Sequence, residues 1–383
     1  MELNYTPEQQ AFRAEVRAWM AANVPSQSLK TLEGREGFDQ HVLWERKLAS
    51  GNWGMVTWPE AYGGRGLDLI QWLIFEEEYW AAGAPNRANQ NGIFLLGPTI
   101  IEYGTDEQKA RFLTPMAHGE IMWAQAWSEP DAGSDMAAIR SRAVRDGDHY
   151  VINGQKTWSS RAAFADWCFG LFRTDGESSR HHGLTFILLP LGTPGVTVRP
   201  IRQLHGETGL AEIFFDDVRV PVENRLADEG EGWKVAMATA GFERGLMLRS
   251  PARFQSTAKR LVQLYDENSQ TASPQARDAV LQAWMDAEAY ALNTYSVAAQ
   301  VMAGRKIGAE ASLNKIFWSE MDRAQHRAAM SLLGAAAELR TLDDGEANAW
   351  LEGYIFSLSG PIYAGSNEIQ RNIVAERLLG LPR

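Results

Sequence analysis

The sequence predicts an α+β protein, mostly α, built as an N-terminal helical bundle, a small antiparallel β domain and a C-terminal helical bundle. Three observations carry this reading. Apolar residues recur at helical spacing up to about residue 121, a two-residue alternation with turn signals replaces it to about residue 228, and helical spacing then returns. The expected domains are 1–121, 122–228 and 229–383.

Composition bounds the possibilities. A chain of 383 residues, 45% hydrophobic and 22% charged, can bury a large core in two or three layers. The net charge of -11 argues against nucleic acid as a partner, since phosphate binding needs a basic surface. A single cysteine, Cys168, rules out an internal disulfide and a cysteine-rich metal site, which points to a reducing, cytoplasmic compartment. Set between Trp167 and Phe169, it reads as core. No apolar run is long enough to span a membrane and the N-terminus is not signal-like, so a soluble, unprocessed protein without membrane insertion is expected.

In the first third, Thr6-Pro7-Glu8-Gln9 is a capping box: threonine caps, proline takes the first helical position and glutamine reaches back. Phe12, Val16, Trp19 and Met20 follow as one apolar stripe. Helical pattern continues from Trp44 to Leu48, breaks at Trp58 to Gly64, and resumes through Leu67, Ile70, Leu73 and Tyr79. A further helix runs from Ile93 to Tyr103, with Gly104 closing it and Thr105 to Gln108 as a second capping box.

In the middle third, the turn signals Asp146-Gly147 and Asn153-Gly154 flank Tyr150 to Ile152, which reads as a meander of short strands. Phe169 to Phe172, Leu184 to Leu189, Val196 to Val198 and Glu212 to Phe215 supply further strands, and Val220-Pro221-Val222 marks the exit. From Gly232 onward the pattern is helical, broken by the polar stretch Asp266 to Pro274 and by Leu342 to Glu346.

The segment Trp123 to Asp135 (Trp-Ala-Gln-Ala-Trp-Ser-Glu-Pro-Asp-Ala-Gly-Ser-Asp) joins the first two regimes. Its proline cannot continue a helix, and Ala132 to Asp135 is a small-residue turn whose amides and hydroxyls suit close approach to a ligand. The stretch Lys156-Thr157-Trp158-Ser159-Ser160 follows a strand, and a tryptophan flanked by hydroxyls suits a flat aromatic ligand that needs stacking and hydrogen bonds. A core tryptophan is the alternative, in a chain with 14 of them.

These motifs resemble the acyl-CoA dehydrogenase family, whose members carry a Ser/Thr-Glu-Pro-x-Ala-Gly-Ser-Asp turn and a Lys-x-Trp-Ile-Thr stretch. The order of helix, small β domain and helix is similar to the acyl-CoA dehydrogenase fold, and the resemblance runs nearly end to end. It implies that the chain holds FAD through Gln125, Ser128, Trp158 and Ser160, with Ser134 towards the CoA. The segment Ile362 to Arg371 resembles the family's Tyr-Glu-Gly-Thr-x-x-Ile-Gln-Arg, which implies flavin contacts at Gly365, Ser366 and Glu368.

Many members place the catalytic glutamate where this chain has Ala364. Alanine removes the base and keeps the backbone N–H that, by the resemblance, polarises the thioester carbonyl. Glu243 shares a helical face with Ala236, Ala240 and Met247, where burial raises a carboxyl pKa and suits a general base. A glutamate pairing with Arg244 or solvent is the alternative. A minority of the family is recognised by a Glu-Arg pair on this helix together with a small residue at the C-terminal position, and Glu243-Arg244 with Ala364 matches it. That match implies Glu243 as catalytic base, with Arg244 and Ala364 on the substrate side.

The Arg-x-x-Phe-Gly segment by which most members reach a neighbour's FAD has no counterpart in Leu261 to Leu264 or elsewhere. Together with Ala311 to Glu320 (Ala-Ser-Leu-x-Lys-x-x-Trp-Ser-Glu) and a Gly-Leu-Pro-Arg end, this resembles actinobacterial members acting on steroid side chains, some of which pair two different subunits. The resemblance thus implies FAD-dependent oxidation of an acyl-CoA to the 2,3-enoyl-CoA, a homo- or hetero-oligomer, and electron-transfer flavoprotein as acceptor. A catalytically silent partner subunit and a flavin oxidase of the same fold are the alternatives.

Overall fold

Each capping box read from the sequence starts a helix. The computed structural model describes residues 4–244, 249–305, 307–339 and 346–382, with the side chains at 243, 244, 346 and 347 outside that set. Thr6 and Gln9 exchange side-chain to amide bonds at the head of α1 (Pro7–Asn23), which is followed by α2 (Arg35–Ser50). A third box, Asp68 with Gln71, opens α3 (Leu69–Ala81). The predicted helix to Tyr103 starts as a π-helical stretch, Asn91–Leu96, and continues as α4 (Gly97–Tyr103), closed by the Gly104 amide on the Ile100 carbonyl. Thr105 and Gln108 open α5 (Asp106–Ala117).

The strands are β1 (Trp123–Ala126), β2 (Arg142–Asp146), β3 (His149–Ser160), β4 (Trp167–Arg173), β5 (Leu184–Pro190), β6 (Val196–Ile201), β7 (Leu210–Pro221) and β8 (Arg225–Leu226). They form one sheet in the order β6-β7-β3-β2-β4-β5-β8, with β1 pairing parallel to β4. The expected meander holds for the hairpins β2–β3, β4–β5 and β6–β7; β3 and β7 pair across the intervening chain instead. Asp146-Gly147 turns as predicted, whereas Asn153-Gly154 lies inside β3. There the register against β7 slips, with Asp216 and Asp217 of β7 facing Asn153 alone, so the pair lies opposite a bulge in β7, and Gly154 has φ +145°. A Cβ at Gly154 would lie 2.3 Å from Ser141 Oγ, which keeps the position glycine.

The C-terminal helices are α6 (Gly232–Arg244), α7 (Pro251–Asn268), α8 (Pro274–Met302), α9 (Ala311–Leu333), α10 (Glu346–Ser357) and α11 (Asn367–Ile373). The predicted break at Asp266 shortens, because α7 runs on to Asn268 and Ser273 caps α8 by accepting from the Ala276 amide at 3.1 Å. The predicted break at Leu342 to Glu346 lies outside the described residues up to position 345.

The chain divides into two compact units. One takes Met1–Val24, Asp68–Ala84 and Arg244–Arg383; the other takes Pro25–Leu67 and Pro85–Glu243. Of the helices in the first third, α1 and α3 fall in the first of these units and α2, α4 and α5 in the second. Trp72, Leu73, Ile74, Phe75 and Tyr79 of α3 are all buried, and a helix that apolar needs cover on more than one side. In the first unit the Phe12, Val16 and Met20 stripe of α1 packs on α3, which also packs on α7 and α8. In the second, Ala124, Cys168, Ile187 and Ile213 are among the core residues of the sheet. Burial pushes the Cys168 thiol far up, so it is inert core as expected.

Candidate active site

In the unit that holds the sheet, the geometry begins with a lysine on the inward face of β3. Lys156 keeps the parity of Tyr150 and Ile152 and is fully buried. Its ammonium donates to Glu129 Oε1 at 2.9 Å, to the Leu171 carbonyl at 2.7 Å and to the Trp127 carbonyl at 3.2 Å. Glu129 also accepts from the amides of Arg140 at 2.6 Å and Ser141 at 2.9 Å. Burial pushes the Glu129 carboxyl up, but the Lys156 ammonium and the Arg140 amide outweigh it and hold the group below its ordinary range. The Ser-Glu-Pro turn is thereby fixed to the strand that carries Trp158. A bond of 2.9 Å from the Thr157 amide to the Ser128 carbonyl joins them directly.

Trp158 stands out from its neighbours. Thr157 and Ser159 are buried, yet the Trp158 side chain is 61% exposed. Between Lys156 and Ser159 the pairing of β3 with β7 slips, and Trp158 has φ +59°. A bulge with a bulky residue in the left-handed region is costly, and such strain persists where it aims a side chain. Trp158 is thus not part of the core of this chain. Ser160 is half-buried at the end of β3, Gln125 is half-buried in β1 opposite Phe169, and Ser134 is exposed in the turn. An exposed indole on a fixed strand, with Ser128 and Ser160 close in the chain fold, fits a flat aromatic group that stacks and accepts hydrogen bonds.

Beside Ser134, Asp135 accepts from Arg180 at 3.2 Å. Arg180 belongs to the β4–β5 loop, which Arg173 gathers by donating to the carbonyls of Ser178, Arg180 and His182.

In the other unit, Ala364 and Gly365 form a turn of two left-handed residues, with φ +56° and +77°. Gln370 Nε2 donates to the carbonyls of both, at 3.3 Å each. A Cβ on Gly365 would come within 2.4 Å of that nitrogen and displace the Gln370 amide, while the φ itself favours glycine. Ser366 caps α11 by accepting from the Ile369 amide at 3.3 Å, and Glu368 is exposed on its first turn. The helix α6, which belongs to the sheet unit as far as Glu243, ends at Glu243 and Arg244; Ala236 and Ala240 on it are buried as the face predicts, and the side chains of Glu243 and Arg244 lie outside the described residues, as does Met247.

The Glu129–Lys156 pair was not assigned from the sequence. The legible signal is a charged residue at an inward position of an alternating strand.

Three family models match the chain in succession. The model of the acyl-CoA dehydrogenase N-terminal domain matches residues 6–120, that of the middle domain 124–218 and that of the C-terminal domain 230–379. The chain is 40% identical over 379 residues to acyl-CoA dehydrogenase IpdE1 of Mycobacterium tuberculosis, covering 97% of each. It is 41% identical over 396 residues to IpdE1 of Mycolicibacterium smegmatis, covering 98% of each. Among solved structures, the Tcur3481-Tcur3483 steroid ACAD superposes with a TM-score of 0.88 at 28% identity, covering 100% of both chains. The ChsE4-ChsE5 complex from Mycobacterium tuberculosis does so with 0.84 at 32% identity, again covering 100% of both.

Proposed function

The chain belongs to the acyl-CoA dehydrogenase family, and from that premise we propose that it converts an acyl-CoA thioester to the 2,3-enoyl-CoA with Glu243 as general base. It is an oxidoreductase acting on acyl-CoA, with FAD as its cofactor. The observation that carries the reading is Trp158, held outward on a strained bulge and fixed to the Ser-Glu-Pro turn through Lys156 and Glu129.

In this reading Trp158, Ser128, Ser160 and Gln125 hold the flavin, and Gly365, Ser366 and Glu368 are the flavin contacts that the C-terminal motif implies. Bound FAD supplies a two-electron acceptor for the hydride that leaves the β-carbon. The Ala364 N–H donates to the thioester carbonyl, which acidifies the α-proton, and the Glu243 carboxylate takes that proton. The electron pair of the broken α-C–H bond becomes the new double bond. Ser134 and Arg244 bind the substrate. A steroid-derived acyl group is supported by the neighbour described as a steroid ACAD.

Leu261 and Leu264 are buried core positions of α7, where most of the family carries Arg-x-x-Phe-Gly. This favours a site completed by another chain, and hence an oligomer; electron-transfer flavoprotein as acceptor rests on the family resemblance alone. Among the described residues no helix is long and apolar enough to cross a membrane.

The test is anaerobic mixing of the purified, flavin-loaded protein with saturated acyl-CoA thioesters, including steroid-derived ones. Bleaching of the flavin with formation of a 2,3-enoyl-CoA supports the reading. Purification with flavin only when a second chain is co-expressed, and no bleaching at all, would favour the silent-partner alternative.

A further inference from the structure

The segment Ala311 to Glu320, singled out by its sequence, lies in α9, and the reading above leaves it without a role. In the helical unit, four of its side chains meet the segment Tyr363 to Asn367. The Lys315 ammonium, buried to 1% exposure, donates to Asn367 Oδ1 at 2.8 Å. Ser319 Oγ, fully buried, donates to the same oxygen at 3.2 Å, or accepts from Asn367 Nδ2 at 3.1 Å. That Nδ2 also donates to Glu320 Oε1 at 3.0 Å. Trp318 packs on the Tyr363 ring at 5.9 Å between centroids.

Asn367 follows the helix cap Ser366, and its amide donates to the Pro361 carbonyl at 2.8 Å, closing the loop that contains Ala364 and Gly365. A buried ammonium is costly to desolvate, and it is satisfied here by contacts that include the first residue of α11. Positions 315, 318 and 319 fall on one face of α9 by helical spacing, so the motif is a mould for one turn.

We propose that Lys315 is a positioning residue, which through Asn367 holds the left-handed turn Ala364–Gly365 and the cap Ser366 in the geometry that meets thioester and flavin. The inference rests on the assignment of that turn under the proposed function. It explains how a turn with two left-handed residues stays ordered in a protein whose Ala364 contributes only its backbone.

The test is Lys315→Met, which keeps the stem and removes the ammonium, read by amide hydrogen exchange of the peptide spanning residues 361–373 and by titration of deflavinated protein with FAD. Ser319→Ala serves as the milder variant should Lys315→Met fail to fold, and Trp350→Phe, at a buried position elsewhere in the unit, controls for general loss of stability. Exchange in that peptide is expected to rise about tenfold, and FAD affinity to fall about tenfold, with the other peptides of the unit unchanged. The Trp350→Phe control should leave FAD affinity alone. Unchanged exchange at residues 361–373, or an equal rise throughout the unit, overturns the positioning role. A local rise without any change in FAD affinity overturns instead the assignment of the turn to the flavin.

Discussion

The ammonium of Lys156 lies 2.9 Å from the carboxylate of Glu129, with their side chains 0% and 8% exposed. Between them they tie β3 to the Ser-Glu-Pro turn, and Glu129 also satisfies the amides of Arg140 and Ser141 at the turn's exit. Removing one member leaves the other charge buried without its partner, which costs about 3–5 kcal/mol. Lys156→Met is therefore expected to lower the urea midpoint markedly. Lys156→Met combined with Glu129→Gln, which keeps an acceptor and removes the stranded charge, is expected to recover much of the loss. Equal midpoints for Lys156→Met and the parent protein would rule out this role for the pair.

The same pair sets an acid limb of stability. In the folded state the Glu129 carboxyl titrates below its ordinary value of 4.5, because Lys156 and the Arg140 amide outweigh the effect of burial. A group whose folded value is depressed stabilises above its unfolded value, and that contribution is lost as pH falls through the folded value. Melting temperature is thus expected to fall as the pH is lowered beneath the ordinary value of 4.5. In Glu129→Gln the drop should be shallower, and identical acid limbs in the two proteins would contradict the assignment.

Trp158 occupies a backbone conformation that favours glycine, with φ +59° and its indole in solvent. Trp158→Gly is expected to stabilise the flavin-free protein, since the left-handed strain relieved, about 1–3 kcal/mol, exceeds the roughly 0.5–1 kcal/mol that glycine costs in chain entropy. It should at the same time weaken flavin retention by roughly tenfold or more, because a stacked aromatic contributes about 1–3 kcal/mol. The opposite signs distinguish a ligand platform from a core residue. Unfolding of the apoprotein and FAD titration measure the two, and a loss of stability with unaltered flavin content would count against the platform.

Local chemistry was legible in the sequence where one short stretch determines it. Thr6 and Thr105 cap their helices through bonds within four residues, and Asp146-Gly147 turns in place. Asn153-Gly154 carries the same turn chemistry but stays inside a strand opposite a bulge, because the partner that decides its geometry, β7, lies some sixty residues later. The strand order is illegible for the same reason: the pairing of β3 with β7, and of β1 with β4, depends on non-local contacts. For the candidate site, the resemblance of Lys156 to Ser160 to the family's Lys-x-Trp-Ile-Thr stretch marks Trp158 as a platform, whereas the bulge that exposes it needs the register. Lys315 shows how much of a site's support escapes sequence reading, since its acceptor on Asn367 lies in a distant segment.

The catalytic assignment rests on Glu243 and Ala364 together, since the second leaves vacant the position where many members carry their base. Glu243→Gln keeps the size and hydrogen-bonding capacity of the side chain and removes its ability to accept the proton. Flavin and acyl-CoA should still bind, so flavin content and the spectral change on adding product serve as controls. Loss of a positioned general base costs about a hundredfold to ten-thousandfold, and the rate of flavin reduction under anaerobic stopped flow should fall by that range. Adding Ala364→Glu to this variant returns a carboxylate to the position used elsewhere in the family, and is expected to recover part of the rate. That side chain must grow from a residue with φ +56°, so full recovery is not expected. Flavin reduction at the parent rate in Glu243→Gln would remove Glu243 from the reaction and require another base.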